Sequence, residues 1–243
     1  MSQRGKLGNQ AEVFAQQLSD TINSVIDGKH ELMLQAVQGR YVLEPKRRAD
    51  GEKMPCLDLH LPESTKRIGR LQFRYEMTLD HQHEYLKVVL SNFAIRAEAD
   101  GTALIRLDYE PINMQGTRAP VSHWQIQAHH NALANWLTLA HATQRRSGNQ
   151  SGRVDKIHLA VGGERFRPCM EDLLHLLVTD LGVATKNGHM RAIQEGRARW
   201  RELQLRSAVR DNPAIAAEVL ANCGYDVTPV EPKASRPDKH THY

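Results

Sequence analysis

Residues 70–80 read RLQFRYEMTLD, and this stretch decides the fold of the chain. Apolar side chains occupy the odd positions from Leu71 to Leu79, and arginine, glutamine, glutamate and threonine fill the positions between them. Successive side chains of a β-strand point to opposite faces of the sheet. The alternation therefore predicts a strand with one buried face and one wet face.

Neighbouring stretches extend this strand into a sheet. Tyr85–Glu98 is a longer apolar run, Asp100-Gly101 is a hairpin signal, and Thr102–Tyr109 predicts the returning strand. Short connections between such runs favour antiparallel pairing. We expect a mostly antiparallel sheet of about five to seven strands. The other predicted strands cover residues 31–37, 40–43, 121–129 and 156–161.

Helices are predicted at both ends of the chain. The clearest covers residues 170–181, where leucines recur at helical spacing and Gly182 follows as a stop signal. Further helices are predicted over 10–27, 132–144, 189–210 and 214–223, with the first nine residues frayed. The fold class is therefore α+β: an N-terminal helix, a mostly antiparallel sheet and a helical C-terminal third. Helices 10–27, 132–144 and 170–181 are expected to cover one face of the sheet.

Three regions follow from this layout. We expect a main domain over residues 1–183 and an appended basic helical segment over 184–227. The tail 228–243 has three prolines and few apolar groups, which predicts disorder. The polar segment RRSGNQSGR at 145–153 has the composition of a flexible linker.

Composition excludes several classes of protein. The 243 residues are 40% hydrophobic and carry a formal net charge of +4, close to the average for globular domains. No apolar run approaches the roughly 20 residues that span a bilayer, and no signal peptide is recognisable. Three scattered cysteines predict reduced thiols and a cytoplasmic location. The 22 arginines against 10 lysines are as typical of a GC-rich bacterial genome as of phosphate binding.

Positive charge is concentrated in the predicted helix 189–210 and the residues just before it. Residues 186–210 hold seven basic and two acidic side chains, a net charge of +5, so the rest of the chain is close to neutral. Such a helix is typical of phosphate binding with salt-dependent affinity. A solvated surface helix, or one packed on acidic neighbours or on a partner protein, explains the pattern nearly as well. The helix arginines assigned to contact are Arg191, Arg197, Arg199, Arg201 and Arg206.

A second basic segment, Gly-Gly-Glu-Arg-Phe-Arg-Pro at 162–168, separates a predicted strand from a predicted helix. Arg165 and Arg167 flank Phe166, a basic–aromatic pattern that suits a nucleic-acid backbone and base. The alternative is a tight turn in which Phe166 is buried and both arginines lie in water. Cys169 follows at the predicted helix start, and we interpret it as a small buried cysteine rather than a nucleophile.

Histidines supply the enzymatic alternative. On the predicted strand 121–129, His123 and His129 share a polar face, and His158 lies on the next predicted strand. Imidazoles in this arrangement are suited to acid–base catalysis. The simpler interpretation is the solvated face of a sheet. His123 and His129 are roughly 20 Å apart along the strand, too far to share an ion. We therefore predict no metal site and no cofactor.

Two functions remain open. The first is a non-enzymatic bacterial cytoplasmic binding protein or complex subunit, which contacts nucleic acid or an acidic protein surface through the basic helix. The second is a histidine-dependent hydrolase or nuclease that uses the polar face of the sheet. No motif in the sequence decides between them.

Overall fold

A computed structural model describes residues 3–47, 54–111, 119–127, 159–162, 164–228 and 235–236 of the chain. These residues form an α+β fold of eight strands and four helices, which confirms the predicted fold class. The helices are α1 (Gln3–Val25), α2 (Met170–Thr179), α3 (His189–Asp211) and α4 (Pro213–Asn222). The strands are β1 (Leu32–Val37), β2 (Arg40–Pro45), β3 (Leu57–His60), β4 (Arg67–Leu79), β5 (Leu86–Ala97), β6 (Ala103–Tyr109), β7 (Ser122–Ile126) and β8 (Leu159–Ala160).

All strand pairs among the described residues are antiparallel, and the order across the sheet is β1-β2-β4-β5-β6-β7-β8. The long strand β4 organises this sheet: β5 pairs along one side of it, while β2 and β3 share the other side, one near each end. The predicted strand count was too low because β3, at only four residues, is too short for its alternation to be recognised.

The alternation in β4 corresponds to burial. Its odd-numbered residues from Leu71 to Leu79 are buried, and the residues between them are partly exposed. The register to β5 shifts between Glu76 and Met77, a β-bulge that brings both Val88 and Phe93 of β5 into the core. Tyr75 lies at the centre of an aromatic cluster, since the rings of Phe14 and Phe93 both lie 5.2 Å from its own.

Helices α1 and α2 place their apolar stripes in the same core. Leu18, Ile22 and Val25 of α1 are buried there, as are Leu173, Leu174 and Leu177 of α2. Helix α1 begins at Gln3, so the prediction of nine frayed residues was wrong. The physical reason is that Leu7 and Ala11 are also buried, which extends the stripe towards the N-terminus.

The remaining predictions for this part of the chain agree with the structure to different extents. Strand β7 ends at Ile126, three residues before the predicted end, and β8 is two residues of the predicted strand 156–161. The predicted helix 132–144, the linker 145–153 and most of the tail lie outside the described residues. The division of the chain at residue 183 stays a prediction. Each helix in the described ranges is too short or too polar to span a membrane.

Candidate interaction surface and candidate acid–base pair

The loop 162–168 is shaped by one glycine. Gly162 has a φ of +62°, and its carbonyl oxygen accepts a hydrogen bond of 2.9 Å from the Phe166 backbone N–H. A Cβ atom at this position would lie 2.0 Å from the Phe166 carbonyl oxygen, so only glycine fits the turn. The turn exposes Phe166 to solvent, the reverse of the sequence-based alternative in which Phe166 is buried.

Neither arginine of this loop lies free in water. Arg167 is buried, with its guanidinium 3.7 Å from the centre of the Tyr109 ring and 5.0 Å from that of Trp200. Its Nη1 group donates a hydrogen bond to the carbonyl of Glu164, and burial lowers the pKa of Arg167. Arg165 forms an ion pair with Asp211 at the end of α3. The loop thus uses both arginines to hold α3 against the sheet, and the contact of Arg165 and Arg167 with nucleic acid stays a prediction.

Two helix arginines also contact neighbouring helices: Arg197 is partly buried, and Arg199 is exposed. Nε of Arg197 donates to Oδ1 of Asp172 on α2 at 2.7 Å, and Arg199 donates to the Thr21 hydroxyl of α1 at 3.2 Å. Close approach to α2 depends on Gly196, where a Cβ would lie 2.5 Å from a carboxylate oxygen of Glu171. Helix α3 therefore packs on both α1 and α2, and part of its positive charge is used within the fold.

Three further predicted contact residues are exposed and, among the described residues, make no hydrogen bond to α1, and we call Arg191, Arg201 and Arg206 the outer arginines. Their side chains are 84%, 69% and 65% exposed. Arg191 pairs with Glu195 at 2.7 Å and Arg206 pairs with Glu202 at 2.5 Å, each four residues away along α3. Exposed pairs of this kind are weak and exchange readily. The outer surface of α3 thus alternates in charge rather than forming a uniform basic stripe.

Exposed apolar side chains continue from the end of α3 onto α4. We call Leu205, Val209, Ile215, Val219 and Leu220 the apolar strip; Leu205 and Ile215 are each 61% exposed. Every residue of α4 is at least partly exposed. The junction itself is fixed to the main body by the Arg165–Asp211 pair and by Arg210, which lies 4.1 Å above the Tyr85 ring. The strip is not recognisable from the sequence, because apolar residues at helical spacing normally indicate a helix face that is buried in the core.

His123 is buried rather than on a wet face. Its Nδ1 lies 2.8 Å from the carbonyl oxygen of Pro120, which can only accept, so Nδ1 carries a proton. Its Nε2 is 3.8 Å from Oδ2 of Asp108, which pairs with His123 across β6 and β7. Asp108 also receives a hydrogen bond of 2.9 Å from Asn92 and an ion pair of 2.8 Å from Arg106.

Asp108 and His123 form a candidate acid–base pair. Burial raises the pKa of Asp108, and the charges of Arg106 and His123 only partly oppose this effect. At 3.8 Å the Nε2 and Oδ2 atoms lie beyond hydrogen-bond distance, so the two groups interact through charge, and a proton could pass between them only after a closer approach. The partners proposed from the sequence, His129 and His158, lie outside the described residues.

The cysteines give little support for other chemistry. Burial raises the pKa of Cys169 far above its ordinary value, and Glu171 and Asp172 add to the shift, so this thiol is inert at neutral pH. The interpretation of Cys169 as a buried cysteine is confirmed, Cys56 is buried as well, and Cys223 is exposed. Within the described ranges, His, Cys, Asp and Glu side chains do not gather in groups of three that suit a metal ion.

A cleft of about 570 Å³ lies between α1 and the start of β1, lined in part by Asn23, Lys29, His30 and Lys46. Much of its polar lining is engaged within the chain. The Asn23 side chain accepts from the His30 backbone at 2.8 Å, and Lys46 pairs with Glu31 at 2.6 Å. Burial lowers the pKa of His30, which keeps its ring neutral. These contacts hold the α1–β1 connection.

Comparisons of this chain with protein families, with curated proteins and with solved structures gave no significant match.

Proposed function

We propose that this protein is a non-enzymatic subunit that binds a partner protein through the outer surface of α3 and through α4. The observation that carries this proposal is the apolar strip, exposed on helices that are anchored to the main body. Several large apolar side chains left in water on two consecutive helices are typical of an interaction site. The bacterial origin and cytoplasmic location expected from the sequence remain part of this proposal.

The charge distribution favours a protein over nucleic acid as the partner. Affinity for a nucleic-acid backbone comes mainly from Lys and Arg side chains that neutralise its phosphates. On α3, however, Arg191 and Arg206 each have a glutamate partner and Arg197 pairs with Asp172. Arg165 and Arg167 of the 162–168 loop are engaged inside the fold. Alternating charge beside apolar side chains is the composition of a protein interface with a polar rim.

Site-specific crosslinking tests the proposal. A photoreactive amino acid at Ile215 is expected to crosslink the full-length protein to a discrete protein in an extract of its source organism. The same amino acid at Val13, an exposed position on α1, serves as the matched control. The proposal is contradicted if both positions give the same products. It is also contradicted if the purified protein binds nucleic acid with strong salt dependence that Arg191→Gln, Arg201→Gln and Arg206→Gln together abolish.

The Asp108–His123 pair supports a second candidate function, acid–base catalysis by a hydrolase or nuclease. The supporting observation is the 3.8 Å separation of two buried titratable groups beside Arg106. Hydrolysis of ester and phosphodiester probes by the wild-type protein, lost in His123→Gln with the fold intact, is the expected result for an enzyme. Equal rates for both proteins, or none for either, would exclude this role.

A further inference from the structure

We infer that the partner of the apolar strip is a second copy of this chain, with α4 of each copy lying on α3 of the other. This inference deepens the proposed function, since it depends on the strip being an interaction surface. It rests on three observations: opposite charge on consecutive segments, matching apolar rows on both helices, and a connection too short for the helices to pack on each other.

Opposite charges lie on the two helical segments. Residues 186–210 carry a net charge of +5, whereas residues 211–228 carry three acidic side chains and no lysine or arginine. Asp211 is paired with Arg165 inside the molecule, which leaves the exposed Glu218 and Asp226 as the acidic groups of α4 and its C-terminal extension. The outer arginines Arg201 and Arg206 flank the α3 part of the strip. The two surfaces are thus complementary in charge.

The apolar rows also match. Leu205 and Val209 are one helical turn apart on α3, and Ile215 and Val219 are one turn apart on α4. All four side chains are exposed in the single chain. Packing one row against the other would remove both from water, with the charged groups at the edges of the contact.

The two surfaces of one copy are prevented from meeting each other. Helix α3 ends at Asp211 and α4 begins at Pro213, so Asn212 alone connects them. Antiparallel helices that pack along their length need a connection of about two to five residues. Complementary surfaces on one chain that cannot close intramolecularly are suited to close between two copies. A two-fold axis then creates the same contact twice.

Sedimentation velocity of the full-length protein over a range of concentrations tests the inference. The wild-type protein is expected to be in monomer–dimer equilibrium or fully dimeric. Ile215→Glu with Val219→Glu should raise the dissociation constant about tenfold or more, because both apolar rows lose their contact. Val13→Glu, the same change at an exposed position of α1, should have no effect. Circular dichroism establishes that each variant is folded.

Charge reversal gives a sharper test. One variant carries Glu218→Lys and Asp226→Lys, and the other carries Arg201→Glu and Arg206→Glu. Each variant alone brings like charges together and should be monomeric. When the two variants are mixed, opposite charges face each other at both contacts, so a heterodimer should form at physiological salt.

The outcomes separate the inference from the proposed function. A monomeric wild-type protein that still crosslinks a different protein through Ile215 overturns the second copy but leaves the interaction surface in place. A dimer that resists both Ile215→Glu with Val219→Glu and charge reversal also overturns the inference, because the copies then meet elsewhere. A monomer without any crosslinked partner overturns the inference and the proposed function together.

Discussion

Asp108 is a carboxyl group whose burial opposes its ionisation. Because burial raises its pKa, the folded chain holds this proton to a higher pH than the unfolded chain does. Its ionisation therefore lowers the free energy of unfolding as the pH rises from the ordinary aspartate pKa to the raised one. Asp108→Asn should remove this loss, at about 1.4 kcal/mol for each pH unit between the two pKa values. Urea unfolding across a series of pH values measures it.

The contrasting residue is Asp100, whose pKa is lowered by hydrogen bonds from Thr102. Its contribution to stability is present above its ordinary pKa and is lost as the pH falls, so Asp100→Asn should change the pH profile in the opposite direction.

An Asp108→Asn variant that is less stable than wild type throughout the neutral range would show that ionised Asp108 is stabilising.

The three cysteines should differ in reactivity. Cys223 is exposed, whereas Cys56 and Cys169 are buried. Since a thiol reacts as its thiolate, we expect one fast-reacting thiol in the native protein and three after unfolding in urea. Titration with a chromogenic disulfide reagent measures both numbers, and Cys223→Ser should abolish the fast phase. Rapid reaction of two or more thiols in the folded protein would contradict the burial of Cys56 or of Cys169.

At the scale of elements, Asp172 connects the start of α2 to α3. Its carboxylate accepts a hydrogen bond of 2.9 Å from the Cys169 backbone N–H and pairs with Arg197 at 2.7 Å. Burial alone would raise its pKa, but these contacts hold the pKa below its usual value. The stabilisation is therefore present above the ordinary aspartate pKa and lost as the pH falls through the lowered one.

Replacing Asp172 should show this double role. Asp172→Asn should lower the free energy of unfolding at neutral pH by about 1–3 kcal/mol, because a helix cap and a charged hydrogen bond are both weakened. Thermal unfolding checks the loss. Glu202→Gln, which removes an exposed partner of Arg206, is the matched control and should leave the melting temperature unchanged. Equal losses for the two variants would mean that Asp172 does not connect the helices.

The Gly162 turn is the second element that depends on one residue. Gly162→Ala should destabilise the protein by more than the roughly 1 kcal/mol of left-handed backbone strain, because the new Cβ overlaps the Phe166 carbonyl. Gly39 has a comparable φ of +80° with open space around it, so Gly39→Ala should cost the strain alone. Chemical denaturation compares the two variants. A loss no larger than that of Gly39→Ala would show that the turn rearranges.

The sequence predicts well those elements in which a regular pattern of apolar residues continues over many positions. Five buried side chains alternate in β4, and no other structure has that period, so the strand and its buried face follow from the sequence. Leu7 and Ala11, by contrast, are small or isolated apolar residues in a polar stretch. Only their contact with the core shows that α1 begins at Gln3.

At the scale of the whole molecule, the sequence shows where positive charge is concentrated but not which contacts the charged side chains make. Counting side chains along α3 predicts a basic surface. No sequence pattern shows that Asp172 of α2 meets Arg197, or that Arg165 of the 162–168 loop meets Asp211 at the end of α3. His123 illustrates the same limit. Its strand neighbours Gln125 and Gln127 are polar, which predicts a wet face, yet pairing with β6 places His123 beside Asp108 in a buried environment.

Arg165 and Arg197, which form ion pairs within the fold, should contribute more to stability than the outer arginines do. Arg165→Gln and Arg197→Gln should each lower the free energy of unfolding by about 1–3 kcal/mol, because Asp211 and Asp172 lose their ion-pair partners in partly buried surroundings. Gln in place of Arg191, Arg201 and Arg206 together should leave unfolding unchanged, since these side chains lie mainly in solvent.

Binding should respond in the reverse order. The outer variant should weaken association of α3 with its partner, with an effect that diminishes as salt is added. Arg165→Gln and Arg197→Gln should keep wild-type association as long as each variant is folded. Sedimentation at a temperature well below their melting transitions tests this. If Arg165→Gln or Arg197→Gln lost association but stayed folded, the ion pairs of these arginines would also hold α3 in its binding position. Their role in stability could then not be separated from a role in association.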